Sequence, residues 1–147
     1  MQLNGSTILV TGATGGIGSH LCRQLAGKGA TLVMNCVSSE KLTALRSELG
    51  EKHAVVVADV SAVQGRLAIQ EACSSAGGID ALINLAGILD FGLYVEQSED
   101  IINRMLQVNT VGPMLLCRLL LPQLLEKPAA RILNVGSIFA SIGHPGL

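Results

Sequence analysis

Val10-Thr11-Gly12-Ala13-Thr14-Gly15-Gly16-Ile17-Gly18 is the stretch on which the reading of this chain turns. The apolar run Thr7 to Val10 before it reads as a buried strand. After it, Ile17, Leu21, Leu25 and Ala26 share one face of a helical pattern. A strand, a glycine-rich turn and a helix in that order make a phosphate site, because the helix N-terminus offers unpaired N–H groups and about half a positive charge. Four glycines in seven residues let the backbone come close to a pyrophosphate, with no Cβ in the way.

Working outward, strands and helices alternate. Ala30 to Cys36 reads as the second strand, and Ser38 or Ser39 caps a helix with Leu42, Leu45 and Leu49 on one face, ended by Gly50. His53 to Ala58 is the third strand, nearly continuous in apolar residues as a strand covered on both faces should be. Ser61 and Gln64 form a capping box for a helix reaching about Ala76. Gly77-Gly78 turns the chain into the fourth strand, Asp80 to Asn84. A looser segment, Ala86 to Gln97, leads to a helical region that Ser98 opens, that bends near Gly112-Pro113, and that ends at Leu125. Arg131 to Val135 is the fifth strand. This alternation predicts an α/β, Rossmann-type doubly wound parallel sheet of order 3-2-1-4-5, with the ligand at the carboxyl edge where strands 1 and 4 part.

Composition narrows the class. The 147 residues read as one domain, residues 1–147, expected from its loop to be a dinucleotide-binding domain incomplete at the C-terminus; 49% are hydrophobic and 14% charged, which marks a globular chain with a core. Aromatic residues are 2%, so that core is aliphatic. Ten basic and eleven acidic residues leave a net charge of −1, with no basic stripe, so nucleic acid is not the expected partner. Met114 to Leu125 is the most apolar stretch; it is interrupted by Arg118 and Pro122 and too short to span a bilayer, so no membrane is expected. No signal-peptide pattern precedes the first strand. Cys22, Cys36, Cys73 and Cys117 are scattered without metal-ligand spacing, so no metal is expected and they read as small core residues of a reduced, cytoplasmic protein.

The glycine loop fits T-G-x-x-x-G-x-G through Thr11, Gly12, Gly16 and Gly18, and so resembles the short-chain dehydrogenase/reductase family. It fits equally T-G-x-x-G-x-x-G, through Gly12, Gly15 and Gly18, as in the extended, sugar-nucleotide-modifying branch of that superfamily. The resemblance covers nearly the whole chain. It implies that Thr11, Gly12, Thr14, Gly15, Gly16, Ile17 and Gly18 form the dinucleotide loop, and that Asp59-Val60 holds the adenine. It likewise implies that Asn84-Leu85-Ala86-Gly87, where Leu85 departs from the family's N-N-A-G, lets the ribose lie over Asn84, Ala86 and Gly87. Asn109 matches the family's helix Asn, which holds a water that relays protons to a Lys. In Asn134-Val135-Gly136-Ser137-Ile138, similar to N-V-S-S with Gly136 in place of the first Ser, Ser137 matches the catalytic serine that polarises a carbonyl as hydride arrives.

The same resemblance implies an NAD(P)-dependent oxidoreductase acting on a small carbonyl or alcohol substrate. Asn84-Leu85-Ala86-Gly87, Ser137 and the Leu119-Leu121-Pro122-Leu124 pattern favour this branch over an epimerase or dehydratase of the extended branch. A dinucleotide-binding protein without turnover is the other alternative. The family's Tyr-x-x-x-Lys pair falls past Leu147, with Gly143-His144-Pro145-Gly146 as its lead-in, and Tyr94 does not match it. The chain therefore reads as the front part of a family member, with further strands beyond it, and as inactive by itself.

Cofactor choice turns on the end of strand 2. An acidic residue about 20 positions past the loop would bind a ribose 2′-OH. Cys36 and Val37 stand there instead, and Ser38 and Ser39 can donate to a phosphate, so NADP is favoured over NAD. The helix around Met114 to Leu121 is apolar nearly all round and is expected to be buried on a second side, either by resemblance in a two-fold interface of a homodimer or homotetramer with Leu120 in the contact, or under the protein's own C-terminal part.

Overall fold

The computed structural model describes residues 2–142. Five parallel strands, β1 (Thr7–Thr11), β2 (Thr31–Cys36), β3 (Ala54–Val57), β4 (Ala81–Asn84) and β5 (Arg131–Asn134), form one sheet of order β3-β2-β1-β4-β5. The α-helices are α1 (Gly16–Gly27), α2 (Ser39–Leu49), α3 (Val63–Ser75), α4 (Glu99–Leu106) and α5 (Gly112–Leu125). The strand order is the one expected from the alternation.

The pleat sorts the core into two layers. Ile8, Val10, Leu32 and Met34 point to one side, where Cys22 and Leu25 of α1 and Leu42 and Leu45 of α2 meet them. Leu9, Val33 and Leu82 point to the other, against Ile69 and Cys73 of α3 and Leu116, Leu120 and Leu124 of α5. Burial pushes the Cys22 and Cys73 thiols up to about 12, so they pack as apolar groups.

Several local expectations change. On α1 the buried face runs through Gly18, Cys22 and Leu25, while Ile17 is 69% exposed. The glycine at 18 lets the helix sit so close to the loop that its first large side chain points away from the sheet. Strand β3 is shorter than its apolar run and only half covered, with Val57 exposed, because it lies at the edge of the sheet. The Ser61–Gln64 capping box does not form: Ala62 occupies the N-cap of α3, and the Ser61 hydroxyl donates to Asp59 instead. Ser38, not Ser39, caps α2, its Oγ accepting from Lys41 N at 3.4 Å.

Ser98 caps α4, as expected. The irregularity expected at Gly112-Pro113 falls just before it, as a π-helical turn over Gln107–Val111. Pro113 has no N–H to return to Asn109 four residues back, and the widened turn lies over that gap. With α4 and α5 it makes one helical stretch, Glu99–Leu125, of 27 residues. Met114 to Leu125 is too short to cross a bilayer, but the continuous stretch of which it is part is long and apolar enough by length and composition. It is instead a core helix on one side: Val108, Gly112, Leu116, Leu120 and Leu124 form a buried stripe against the sheet.

Leu120 therefore belongs to the core and not to an outer contact face, which corrects its assignment to a two-fold interface. The outward side of α5 carries Met114, Leu121 and Leu125, all exposed. Strand β5 is exposed along its whole length. The Gly143-His144-Pro145-Gly146 stretch lies outside the described residues.

Candidate active site

The cleft at the carboxyl edge of the sheet begins with the glycine loop. Gly12 has φ +66°, and a Cβ there would lie 2.8 Å from Ala86 Cα. A Cβ at Gly18 would lie 2.1 Å from the Gly12 carbonyl oxygen. These two glycines close the loop against α1 and against the turn after β4. Gly16, with nothing near its missing Cβ, keeps open space beside the helix. No side chain caps α1, so its first N–H groups remain available to an anion.

Thr11 is buried and holds the floor together. Its Oγ1 accepts from Leu85 N and Ala86 N, both at 3.1 Å, joining the end of β1 to the turn after β4. Buried Asn35 does the same on the other side, its Nδ2 donating to the Val56 and Ala58 carbonyls at 3.1 and 2.9 Å. Thr14 Oγ1 donates to Cys36 Sγ at 2.7 Å, fixing the loop tip to the end of β2.

The resulting cleft has a volume of about 350 Å³. Of the residues expected to bind a dinucleotide, it brings together Gly12, Thr14, Gly15, Cys36, Val37, Ser38, Asp59, Val60, Ala86 and Gly87. Gly16 and Ile17 stand at the exposed end of α1, and Gly18 is buried beneath the loop. Asn84 is not in the cleft. It is 4% exposed, its Nδ2 donates to Asn134 Oδ1 at 2.8 Å and Cys117 Sγ at 3.2 Å, and its side chain lines a separate cavity with Asn109 and Thr110. The reason is the pleat: β4 turns Asn84 toward β5 and α5, which leaves the backbone of Ala86 and Gly87 to face the cleft.

Lys41 and Arg104 also line the cleft and carry no local sequence signal for it. Lys41 gets there because Ser38 caps α2 and sets its first turn over the end of β2. Arg104 comes from 45 residues away: its Nη2 pairs with Asp59 Oδ2 at 2.6 Å and its Nη1 donates to Ser61 Oγ. Burial alone would raise the Asp59 carboxyl. The Ser61 hydroxyl, the Arg104 guanidinium and the Ser61 N–H together outweigh it and hold Asp59 below its usual value, so it is a carboxylate.

The reacting end of the cleft is built differently. Asn109 sits in the π turn and grips Ile88 from both ends, Nδ2 donating to the Ile88 carbonyl and Oδ1 accepting the Ile88 N–H, each at 2.8 Å. One N–H and one lone pair of the carboxamide remain for a water. Ser137 is exposed just past β5, and its Oγ accepts from Phe139 N at 3.2 Å, so the O–H is free to donate outward. No hydrogen bond links Ser137 to Asn109 among the described residues.

A parallel sheet with an uncapped helix N-terminus over a glycine loop, and an ionised Asp across the cleft, defines a dinucleotide-binding α/β domain. A family model described as "short chain dehydrogenase" matches residues 6–147, and the chain belongs to that family. Nodulation protein G of Rhizobium sp. (strain N33) is 35% identical over 146 residues, 99% of this chain and 60% of the relative. The 3-oxoacyl-(acyl-carrier-protein) reductase FabG of Vibrio harveyi is 33% identical over 150 residues, with the same coverage of 99% and 60%. Among solved structures, the 3-ketoacyl-(acyl-carrier-protein) reductase of Brucella melitensis complexed with NADH superposes with a TM-score of 0.91 at 27% identity. It is matched over 99% of this chain and 62% of that one. An NAD+-bound xylitol dehydrogenase gives 0.90 at 26%, covering 99% and 58%. The chain thus spans about 60% of the length of these curated relatives.

Proposed function

We propose that this chain is the dinucleotide-binding part of an NAD(P)-dependent oxidoreductase that passes a hydride between the nicotinamide and a small carbonyl or alcohol substrate. The observation that carries the reading is the loop itself. Gly12 and Gly18 are forced by contact, and an uncapped α1 opens beside the cleft that Asp59 and Ala86-Gly87 complete. Bound there, the dinucleotide would supply the hydride chemistry. The chain's own residues would hold the pyrophosphate on α1, seat the base beside Asp59, and direct the Ser137 hydroxyl at the substrate oxygen. Asn109 would keep the Ile88 backbone in place and hold a water with its remaining donor.

NADP is the favoured cofactor. Cys36 and Val37 put no carboxylate where a 2′-phosphate would lie, the Ser38 hydroxyl remains free to donate, and the Lys41 ammonium lines the same wall. The solved neighbours that hold NADH or NAD+ both carry the dinucleotide without a 2′-phosphate, so the reading of NADP rests on the end of β2 in this chain. A cytoplasmic setting fits four free cysteines. A homodimer or homotetramer would cover the exposed Met114, Leu121 and Leu125 of α5.

The test is titration of the protein with NADPH and NADH, followed by assay of nicotinamide oxidation against carbonyl compounds that include 3-oxoacyl thioesters and ketoses. Binding of NADPH in preference to NADH is expected of this chain, with turnover of a carbonyl only in a longer protein that also carries the Tyr-x-x-x-Lys pair. Failure to bind either dinucleotide would overturn the reading.

A further inference from the structure

The segment Asp59-Val60-Ser61 is held from every side. A Cβ at Gly65 would lie 2.0 Å from the Asp59 carbonyl oxygen, and one at Gly112 would lie 3.0 Å from that of Val60. Arg66 Nη1 donates to the same Val60 carbonyl at 2.8 Å. Asp59 Oδ1 takes the Ser61 N–H at 2.9 Å and the Ser61 hydroxyl at 2.7 Å, which leaves Oδ2 for other donors. Arg104 Nη2 reaches that oxygen at 2.6 Å, while Nη1 donates to Ser61 Oγ, closing a triangle of three side chains.

Arg104 comes from α4, a helix with no buried residue. The helix runs directly into the π turn that carries Asn109. Arg104 also faces two cavities: the nucleotide cleft, and a groove between α4 and the 88–90 segment lined by Ile88, Leu89 and Ile101. A helix that buries little apolar surface gains its position from polar ties, and this tie ends on the carboxylate beside the base-binding part of the cleft.

We infer that Arg104 is a positioning residue for the nucleotide: it fixes the Asp59 carboxylate toward the base and anchors α4, and through α4 the Asn109 turn, to the same point. The inference rests on the proposed dinucleotide function. A base amino group would share Asp59 Oδ2 with the guanidinium, both as donors to a carboxylate with lone pairs to spare. Arg suits this place because its fork spans Asp59 and Ser61 at once, which an ammonium cannot do.

The test uses ADP as the probe, which occupies the adenosine and pyrophosphate part of the cleft. Binding is measured by calorimetry from neutral to acid pH for the native chain and for Arg104→Met, Arg104→Lys, Asp59→Asn and the double variant Arg104→Met/Asp59→Asn. Arg104→Met should weaken ADP about fivefold near neutral pH, as for loss of a partly exposed ion pair. It should also move the acid loss of affinity to higher pH, because the carboxylate loses its cation. Arg104→Lys should restore part of the affinity, and Arg104→Met should add nothing once Asp59 is Asn. Unchanged affinity in Arg104→Met, or an equal loss at every pH with no coupling to Asp59→Asn, would overturn the inference and leave the dinucleotide function standing. Absence of ADP and dinucleotide binding in the native chain would instead overturn both.

Discussion

The carboxamide of Asn109 holds both backbone groups of Ile88, its carbonyl and its N–H, at 2.8 Å each. The contact bridges 21 residues and pins the segment after β4 to the π turn. Asn109→Ala removes both bonds; water can reach Ile88, so the expected cost is about 1 kcal/mol of stability. Asn109→Asp keeps the acceptor but sets a second oxygen against the Ile88 carbonyl. Its deficit relative to the native chain should shrink as pH falls and the carboxyl gains a proton. Thermal denaturation of both variants across pH checks this; a constant deficit for Asn109→Asp would contradict it.

The loop glycines should separate by role. Gly18→Ala sets a methyl 2.1 Å from a backbone oxygen and is expected to cost about 3 kcal/mol or prevent folding. Gly16→Ala meets nothing within 4 Å and should fold normally, while narrowing the space beside α1 and weakening dinucleotide binding. Circular dichroism with cofactor titration distinguishes them.

Lys41 should read the 2′-phosphate. Lys41→Met is expected to weaken 2′,5′-ADP about five- to tenfold and leave 5′-ADP nearly unchanged, as for loss of one partly solvated charge contact. Equal loss for both ligands would place Lys41 on the pyrophosphate instead.

His53 makes stability depend on pH. It is 1% exposed, and its Nδ1 accepts the Leu32 N–H at 3.1 Å. Burial, helped by Lys52 and opposed by a backbone hydrogen bond with Leu49, holds its pKa below the ordinary 6.5. The neutral ring is therefore favoured in the folded chain, and protons are bound more readily by the unfolded one. Stability from this group is complete above about pH 6.5 and falls as the pH drops toward the folded value. His53→Gln keeps an acceptor and cannot titrate, so its melting temperature should fall less than the native one between about pH 7 and about pH 5.

The strand order and the place of the cleft were legible because they depend on local signals: apolar runs of strand length, glycine turns and one loop with a steric requirement. Where expectation and structure part, a distant contact decides. Ser61 looks like a helix cap beside Gln64, yet Asp59 two residues back captures it and Arg104 completes the arrangement. Ile17 fits the apolar face of its helix by period, but the close approach at Gly18 turns it outward. Leu120 sits on a helix apolar all round, so only the packed sheet reveals which side it takes. Asn84 keeps its motif position while its side chain belongs to the neighbouring strand. Lys41 and Arg104 reach the cleft through tertiary placement, which no window of neighbouring residues contains.

The central place of β1 also governs how the sheet assembles. Its first residue, Thr7, gives its N–H to Asp80, 73 positions along the chain, while on its other edge it pairs with Thr31. One flank of the sheet can thus zip up through nearby pairings as β1, β2 and β3 meet in order. The other must wait for β4 to return across a long loop, whose closure costs entropy before any contact repays it. Residues 7–57 are the natural first unit to condense during synthesis, with the β4 edge of β1 left open until the chain reaches Asp80 and the strand that follows it.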